Sequence, residues 1–297
     1  MRNEGPILVP LDGSELAEGA LPYAVTLAKV LRAPLALLTV WEGTESELGA
    51  TFPALALEVE QKATQHFATY LEGVKGRMKG MNVETLMRSG EAGEETLRAI
   101  TESGARMIVI ATHGRSGVGR WMYGSTAGHL LRHAQVPVVA VGPHALARSA
   151  KDAAFRHLMI PLDGSKLSEE ALPVARQLAA AAKARLSLVR AVRWAVQAYP
   201  YTLPETYVPQ IDEELEAGAR AYLKRQREAV TDVEADAFVV RGAIAEGLID
   251  FVEKEKVDLV VMTTHARAGL ARAALGSTAD RLLQGAAPVM LIRPDAP

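Results

Sequence analysis

The sequence predicts an α/β protein made of two tandem, doubly wound domains, each built on a five-stranded parallel sheet. Three observations carry that prediction. Short apolar runs alternate with helical stretches of ten or more residues, the pattern of parallel strands covered on both faces. The pattern occurs twice: PLDGSELAEGALPYA at 10–24 and PLDGSKLSEEALPVA at 161–175 are identical at 11 of 15 positions, offset by 151 residues. A glycine-rich stretch at 111–126 recurs at 263–278, offset by 152. A chain of 297 residues suits two domains of roughly 150, each able to bury about two-thirds of its surface. Two copies argue for paired domains rather than a solenoid. The expected domains are 1–146 and 154–297, joined near Pro143 to Ala154 by a polar, alanine-rich linker.

In the first half, Ile7 to Pro10 is a short apolar strand, and Asp12-Gly13-Ser14 turns into a helix capped by Ser14 that runs to about Leu31. Leu35 to Trp41 is the second strand. A variable loop, Glu42 to Pro53, precedes a long amphipathic helix from about Ala54 to Lys79. Val83 to Met87 is the third strand, Glu91 to Ser103 a helix, and Met107 to Ala111 the fourth strand. Ser125 to His133 is the last helix and Val138 to Val141 the last strand. The second half repeats this, with strands near Leu158, Leu186, Ala237, Leu259 and Val289. Such a sheet has a Rossmann-like or flavodoxin-like order, with ligands beyond the carboxyl ends of its strands.

Composition narrows the function classes. Nearly half the residues are apolar and the net charge is -2, which indicates neither disorder nor a general nucleic-acid surface. No apolar run approaches the roughly 20 residues of a membrane helix, and the first residues carry no signal-peptide pattern. The chain has no cysteine, which excludes disulfides, thiolate metal sites and cysteine nucleophiles. A cytoplasmic location is expected.

The stretch ATHGRSGVGRWMYGST at 111–126 concentrates the chemistry. A strand, a glycine-rich loop and a helix N-terminus make an anion site, because free backbone N–H groups and the helix dipole favour negative charge. Glycine lets backbone approach a phosphate closely. Ser125 is expected to cap the helix while facing the same ligand, and Arg115 and Arg120 can neutralise phosphate charge. Known phosphate loops fit badly. Gly114-x4-Gly119 is followed by Arg120-Trp121, so the Walker lysine and hydroxyl are missing, and Met122 breaks a dinucleotide fingerprint from Gly117.

What remains is Gly114, nine residues, then Gly124-Ser125. That spacing resembles the universal stress protein family, whose ATP-binding members carry Gly-x2-Gly-x9-Gly-[Ser/Thr]; Ala111 stands at the first glycine. Each half resembles one such domain in element order, length and both signature ends, so the chain is similar to a tandem member. The resemblance implies an adenine nucleotide alpha hydrolase-like fold with ATP as ligand. Residues after the first and second strands hold adenine and ribose, and the glycine loop holds the phosphates. Carried over by position, the contacts are Pro10, Leu11, Asp12 and Val40, then Ala111, Gly114, Arg115, Gly124, Ser125 and Thr126. Independently, a carboxylate at a strand end, as at Asp12, can accept bonds from ribose hydroxyls or the adenine edge; it can equally be a turn residue, as Asp163 repeats it. The resemblance also implies that domains pair through their last strands, making the two halves an intramolecular pseudo-dimer, with further self-association unread.

In the second half Thr263 and Ala266 replace two of the three glycines. If the second glycine has positive φ or touches phosphate, Ala266 costs roughly 1 kcal/mol or more. Asp163, Arg267, Gly276, Ser277 and Thr278 remain as candidate contacts, so one good and one degenerate site is the sharper expectation. Other chemistry is weaker. His113 and His265 flank the loops at equivalent places. Ser125, His113 and Asp12 lack the Gly-x-Ser-x-Gly elbow of a hydrolase. No metal-ligand spacing is read as useful, although Mg²⁺ can accompany ATP. Trp121, Met122 and Tyr123 are either a ligand cover or a hydrophobic wedge. The tyrosine- and proline-rich insertion at 199–209 is a lid, a docking surface or a plain crossover, and Lys224-Arg225-Gln226-Arg227 is a solvated helix face.

The reading is an adenine-nucleotide-binding stress protein that senses or regulates by conformation or partners. The runners-up are a slow ATP hydrolase or phosphotransferase using the Arg115 and Arg120 loop, and a nucleotide-free scaffold.

Overall fold

The computed structural model describes residues 4–41, 52–112, 123–147, 153–194, 208–263 and 275–294. The chain divides into two compact units, Met1–Leu146 and Ala147–Pro297.

In the first unit the strands are β1 (Ile7–Pro10), β2 (Leu35–Trp41), β3 (Val83–Ser89), β4 (Met107–Ala111) and β5 (Val138–Val141). The helices are α1 (Glu15–Glu18), α2 (Leu21–Leu31), α3 (Pro53–Gly76), α4 (Ala92–Ser103), α5 (Ser125–His133) and α6 (Pro143–Leu146). Every strand pairing is parallel, in the order β3-β2-β1-β4-β5. The second unit holds β6 (His157–Pro161), α7 (Lys166–Glu169), α8 (Ala171–Ala182), β7 (Arg185–Val192), α9 (Val208–Glu228) and β8 (Ala235–Arg241). It continues through α10 (Ile244–Lys254), β9 (Leu259–Thr263), α11 (Ser277–Leu282) and β10 (Val289–Ile292). Its order, β8-β7-β6-β9-β10, repeats the first. This is the Rossmann-like order rather than the flavodoxin-like alternative, in which the third strand would sit next to the first.

Strands buried on both faces cannot alternate polar and apolar residues. Accordingly Ile7, Leu8, Leu35, Leu37, Met107 and Ile108 are all fully buried, as are Leu158, Leu188 and Leu259 in the repeat. The crossover helices place alanine and leucine against the sheet: Ala24 and Leu27 on α2, Ala175 and Leu178 on α8.

A sequence expectation needs correction. The first helix does not run from Ser14 to Leu31: it stops at Glu18, and α2 restarts at Leu21. Pro22 has no N–H to give to Glu18, and its ring would collide with that carbonyl; Pro173 does the same at Glu169 in the repeat. Ser14 does cap α1, accepting from the Ala17 N–H at 3.1 Å. The stretch expected as a polar, alanine-rich linker from Pro143 is helical at its start. It opens with α6, whose buried Ala145 accepts a 2.8 Å bond from the Tyr23 hydroxyl through its carbonyl. Leu146 packs so closely on Gly19 that a Cβ there would lie 2.6 Å from it.

Candidate functional site

In a doubly wound sheet the ligand crevice forms where the strand order reverses, here between β1 and β4 and between β6 and β9. Local pairing opens it. β1 pairs with β2 at four positions but with β4 only at Ile7↔Met107 and Leu8↔Ile108. β6 likewise meets β9 only at Leu158↔Leu259 and Met159↔Val260. Beyond those pairs Pro10 and Pro161 have no N–H to extend a ladder, and the strand ends part.

The residues following β1 turn back on themselves. Asp12 Oδ1 accepts from the Ser14 N–H at 2.9 Å and from the Ser14 hydroxyl at 2.5 Å. Asp163 repeats the turn with Ser165 at 2.8 and 2.6 Å. The turn role of these carboxylates is therefore real. It uses one oxygen of each, and both side chains stay exposed at the carboxyl edge. Leu11 is buried and its N–H donates to the Leu38 carbonyl at 2.7 Å, which fixes Asp12 beside the end of β2.

The loop after β4 is pinched at its base. The Thr112 N–H donates to Val141 O at 3.0 Å, and the Gly124 N–H donates back to Thr112 O at 3.0 Å. Ser125 is not the helix cap: Gly124 takes that place and Ser125 is the first helical residue. Its second-unit counterpart behaves alike, Gly276 capping and Ser277 beginning α11. Because Gly124 has no side chain, nothing caps α5 from within. The N–H groups of its first turn, Ser125 to Ala127, have no intrahelical acceptor and carry the positive end of the dipole. Ala111 is buried at the end of β4, and Val40 and Tyr123 pack on the core cluster around Leu38 and Ile110. For Tyr123 that is the wedge, not the cover. Gly114, Arg115, Arg120, His113, Trp121 and Met122 lie outside the described residues, as do Arg267, Ala266, His265 and positions 199–207 of the insertion.

The second unit shows what such an edge encloses. A cleft of about 230 Å³ is lined by Asp163, Gly276, Ser277 and Thr278 together with Pro161, Leu162, Ala191 and Thr263. The last four occupy the repeat positions of Pro10, Leu11, Val40 and Ala111, so each described candidate of the first unit has a counterpart in this cleft. Sequence reasoning missed its apolar wall, Val189, Ile244, Leu248 and Met262; the apolar positions opening the helix after Gly242 were the available signal. The volume is a little below the roughly 300–1,000 Å³ of small-molecule sites. Thr263 is buried and spends its hydroxyl proton on Leu167 O at 3.0 Å, so that donor is not offered to the cleft.

Among the described residues one group brings potential metal ligands together, at positions the sequence analysis did not single out. Glu91, Glu94 and His129 bring a ligand atom each within 4.8 Å of one another. His129 and His133 also stand four apart on α5 with ring centroids 4.6 Å apart, a spacing the sequence displays.

No described helix is long and apolar enough to cross a membrane. The basic run on α9 is a helix face with its own partners: Lys224 reaches Glu228 at 4.0 Å and Arg227 donates to Ala235 O at 3.1 Å.

Comparison with known proteins places this architecture. The universal stress protein family model matches residues 5–142 and again 154–293. A universal stress protein of Mycolicibacterium smegmatis is 30% identical over 301 residues, covering 97% of each chain. The Bacillus subtilis universal stress protein YxiE is 32% identical over 143 residues, 46% of this chain and 97% of its own length. A crystal structure of a universal stress protein from Archaeoglobus fulgidus shares the fold, with a TM-score of 0.66 at 17% identity over 97% of this chain and 98% of that one. With both halves matched and a full-length tandem relative, the chain belongs to the universal stress protein family.

Proposed function

We propose that this protein binds ATP at the carboxyl edge of its first unit, and more weakly in its second, and acts in stress response as a nucleotide-dependent sensor or regulator. The observation that carries the reading is the convergence at one edge of an exposed carboxylate, Asp12, with the uncapped N-terminus of α5. Adenine and ribose fit the side of Asp12, Leu11 and Val40. The phosphates fit the first-turn N–H groups of Ser125 and Thr126 and the Gly114–Arg115 loop. In the second unit the apolar cleft suits a base and ribose, with the phosphates left to the loop that Arg267 belongs to. Mg²⁺, where present, is held by the phosphates and water.

Binding without designed turnover is the reading preferred, with Asp12 Oδ1 engaged in its turn rather than poised as a base. Calorimetric titration of nucleotide-stripped protein with ATP tests the proposal, with Asp12→Ala, Gly114→Val and Ala266→Gly variants alongside. One strong site per chain, lost in Gly114→Val and weakened in Asp12→Ala, is expected. Equal affinity in both units would refute the asymmetry, and an absence of binding would refute the nucleotide reading.

A further inference from the structure

We propose that Glu91, Glu94 and His129 form a binding site for one divalent transition-metal ion, of the zinc or cobalt kind, in the first unit and not in the second. Two carboxylates and an imidazole are a ligand set for borderline divalent metals. The three ligand atoms lie within 4.8 Å of one another, and His129 Nε2 is 3.3 Å from Glu94 Oε1. Two ligands bound at 2.0–2.1 Å around a tetrahedral ion stand about 3.3–3.4 Å apart, so that pair already has the spacing.

His129 Nε2 is itself screened from solvent, in a side chain that is 22% exposed, and the Glu94 oxygen is its ion-pair partner. A proton on Nε2 satisfies the pair as an ordinary ion pair; with the proton on Nδ1, the Nε2 lone pair faces the carboxylate and a cation is needed between them. The ring is seated deliberately. A Cβ on Gly93 would lie 2.7 Å from His129 Cγ and 2.8 Å from Cδ2, so only glycine admits it.

The repeat supplies the control. At the corresponding places the second unit has Ala243 for Glu91, Ala245 for Gly93 and Arg281 for His129, and it keeps only the glutamate, Glu246. There Arg281 Nη2 meets Glu246 Oε1 at 2.6 Å. One unit thus fills the position with a guanidinium. The other removes the cation, adds a second carboxylate and makes room for an imidazole. A bound ion restores the positive charge. Glu91 is held in place by the N–H groups of Gly93 at 3.1 Å and Glu94 at 2.7 Å, one to each oxygen, and each oxygen keeps a lone pair for a metal. The N-terminal dipole of α4 opposes a cation there, by up to about 1 kcal/mol at an exposed site, against two full negative charges.

The test is titration of the untagged, nucleotide-free full chain with Co²⁺, followed by visible ligand-field absorption, then displacement by Zn²⁺. The His129→Arg variant recreates the ion pair of the second unit and is expected to fold, with circular dichroism as the check. Glu91→Ser keeps a capping hydroxyl while removing a ligand. Wild type is expected to bind one Co²⁺ per chain, displaced by Zn²⁺. His129→Arg should weaken binding at least ~100-fold, and Glu91→Ser ~10-fold or more. No absorption band at millimolar Co²⁺ would overturn the proposal. So would wild-type affinity in a folded His129→Arg, which would put the ion elsewhere. Because no nucleotide is present, either result leaves the ATP reading standing.

Discussion

His157 gives the second unit a histidine-linked acid sensitivity at a place where the first unit has Pro6. The ring is 4% exposed. Its Nε2 lies 2.7 Å from the Ser187 hydroxyl, and its Nδ1 lies 3.0 Å from Glu255 O and 2.9 Å from Arg185 Nη2. Asp258 Oδ2 accepts from the backbone N–H of Arg156 at 2.9 Å and of His157 at 3.0 Å, anchoring this strand entrance. Burial lowers the imidazole pKa below its usual 6.5; the Glu255 carbonyl bond opposes that, the Arg185 charge adds to it, and the charges of Asp258 and Glu255 oppose it. With the folded pKa depressed, the unfolded chain binds the proton more readily, so stability is present above about pH 6.5 and is lost as pH falls. One linked proton gives at most about 1.4 kcal/mol per pH unit. Integrated from pH 7.5 to 5.0 with a reference pKa of 6.5, the ceiling is about 2 kcal/mol. The perturbation is His157→Gln, which keeps polar contacts but cannot titrate. Urea unfolding of wild type and variant at pH 7.5, 6.5, 5.5 and 5.0 is the assay. The variant should start less stable at pH 7.5, by about 1–3 kcal/mol for the disturbed buried hydrogen bonds. The gap should narrow as pH falls. Parallel pH profiles would refute the argument.

Smaller perturbations follow from the same geometry. Gly93→Ala drives a Cβ into the His129 ring and should cost about 1–3 kcal/mol as overpacking, despite the helix propensity alanine brings; thermal unfolding of the variant reads this. Gly5→Ala should be worse, because φ is +118° and the new Cβ would sit 2.1 Å from Gly104 O; loss of several degrees in Tm or of soluble expression is the expected result. Glu91→Ala removes the cap of α4, a loss of about 1 kcal/mol. N–H bonds from Glu94 and Gly93 hold the Glu91 carboxyl below its usual 4.5. Its stabilising contribution is therefore present above pH 4.5 and fades as pH falls, so the difference between wild type and variant should shrink under acid.

Most of the scaffold was legible because a parallel sheet needs continuous apolar runs, and the ten runs stand out between helices. β1, β2, β4 and β5 begin and end where the sequence placed them, while β3 runs on to Ser89. The break before α2 was also visible, in Pro22, but a helical pattern on either side of a proline hides a stop when the pattern resumes in phase. The cap of α5 was misplaced because Gly124 and Ser125 both suit such a position; the backbone decides it, with Gly124 at ψ 150° before the turn begins. The site was legible only where residues adjoin in sequence. Asp12 and the Gly124 segment could be named, whereas Ile244 and Leu248 reach the cleft through the crossing of a helix over a sheet.

The metal-ligating group shows the same limit more sharply, since Glu94 and His129 meet only because α4 and α5 lie side by side. Duplication is what makes such a group interpretable within a single chain. Both units keep the Asp-Gly-Ser turn, the split first helix and the two-position ladder at the switch point, which are the features that open a crevice. They differ at Ala111 and Thr263, at His129 and Arg281, and at position 6 and His157, where side-chain chemistry changes while the backbone does not. The three substituted glutamate, glycine and histidine positions change together, from two carboxylates around an imidazole to one carboxylate on a guanidinium. Gly93 accompanies His129 for a steric reason, since a Cβ there would lie 2.7 Å from the ring; glycine and imidazole are one packing unit, and the Co²⁺ titration decides whether that unit also holds an ion.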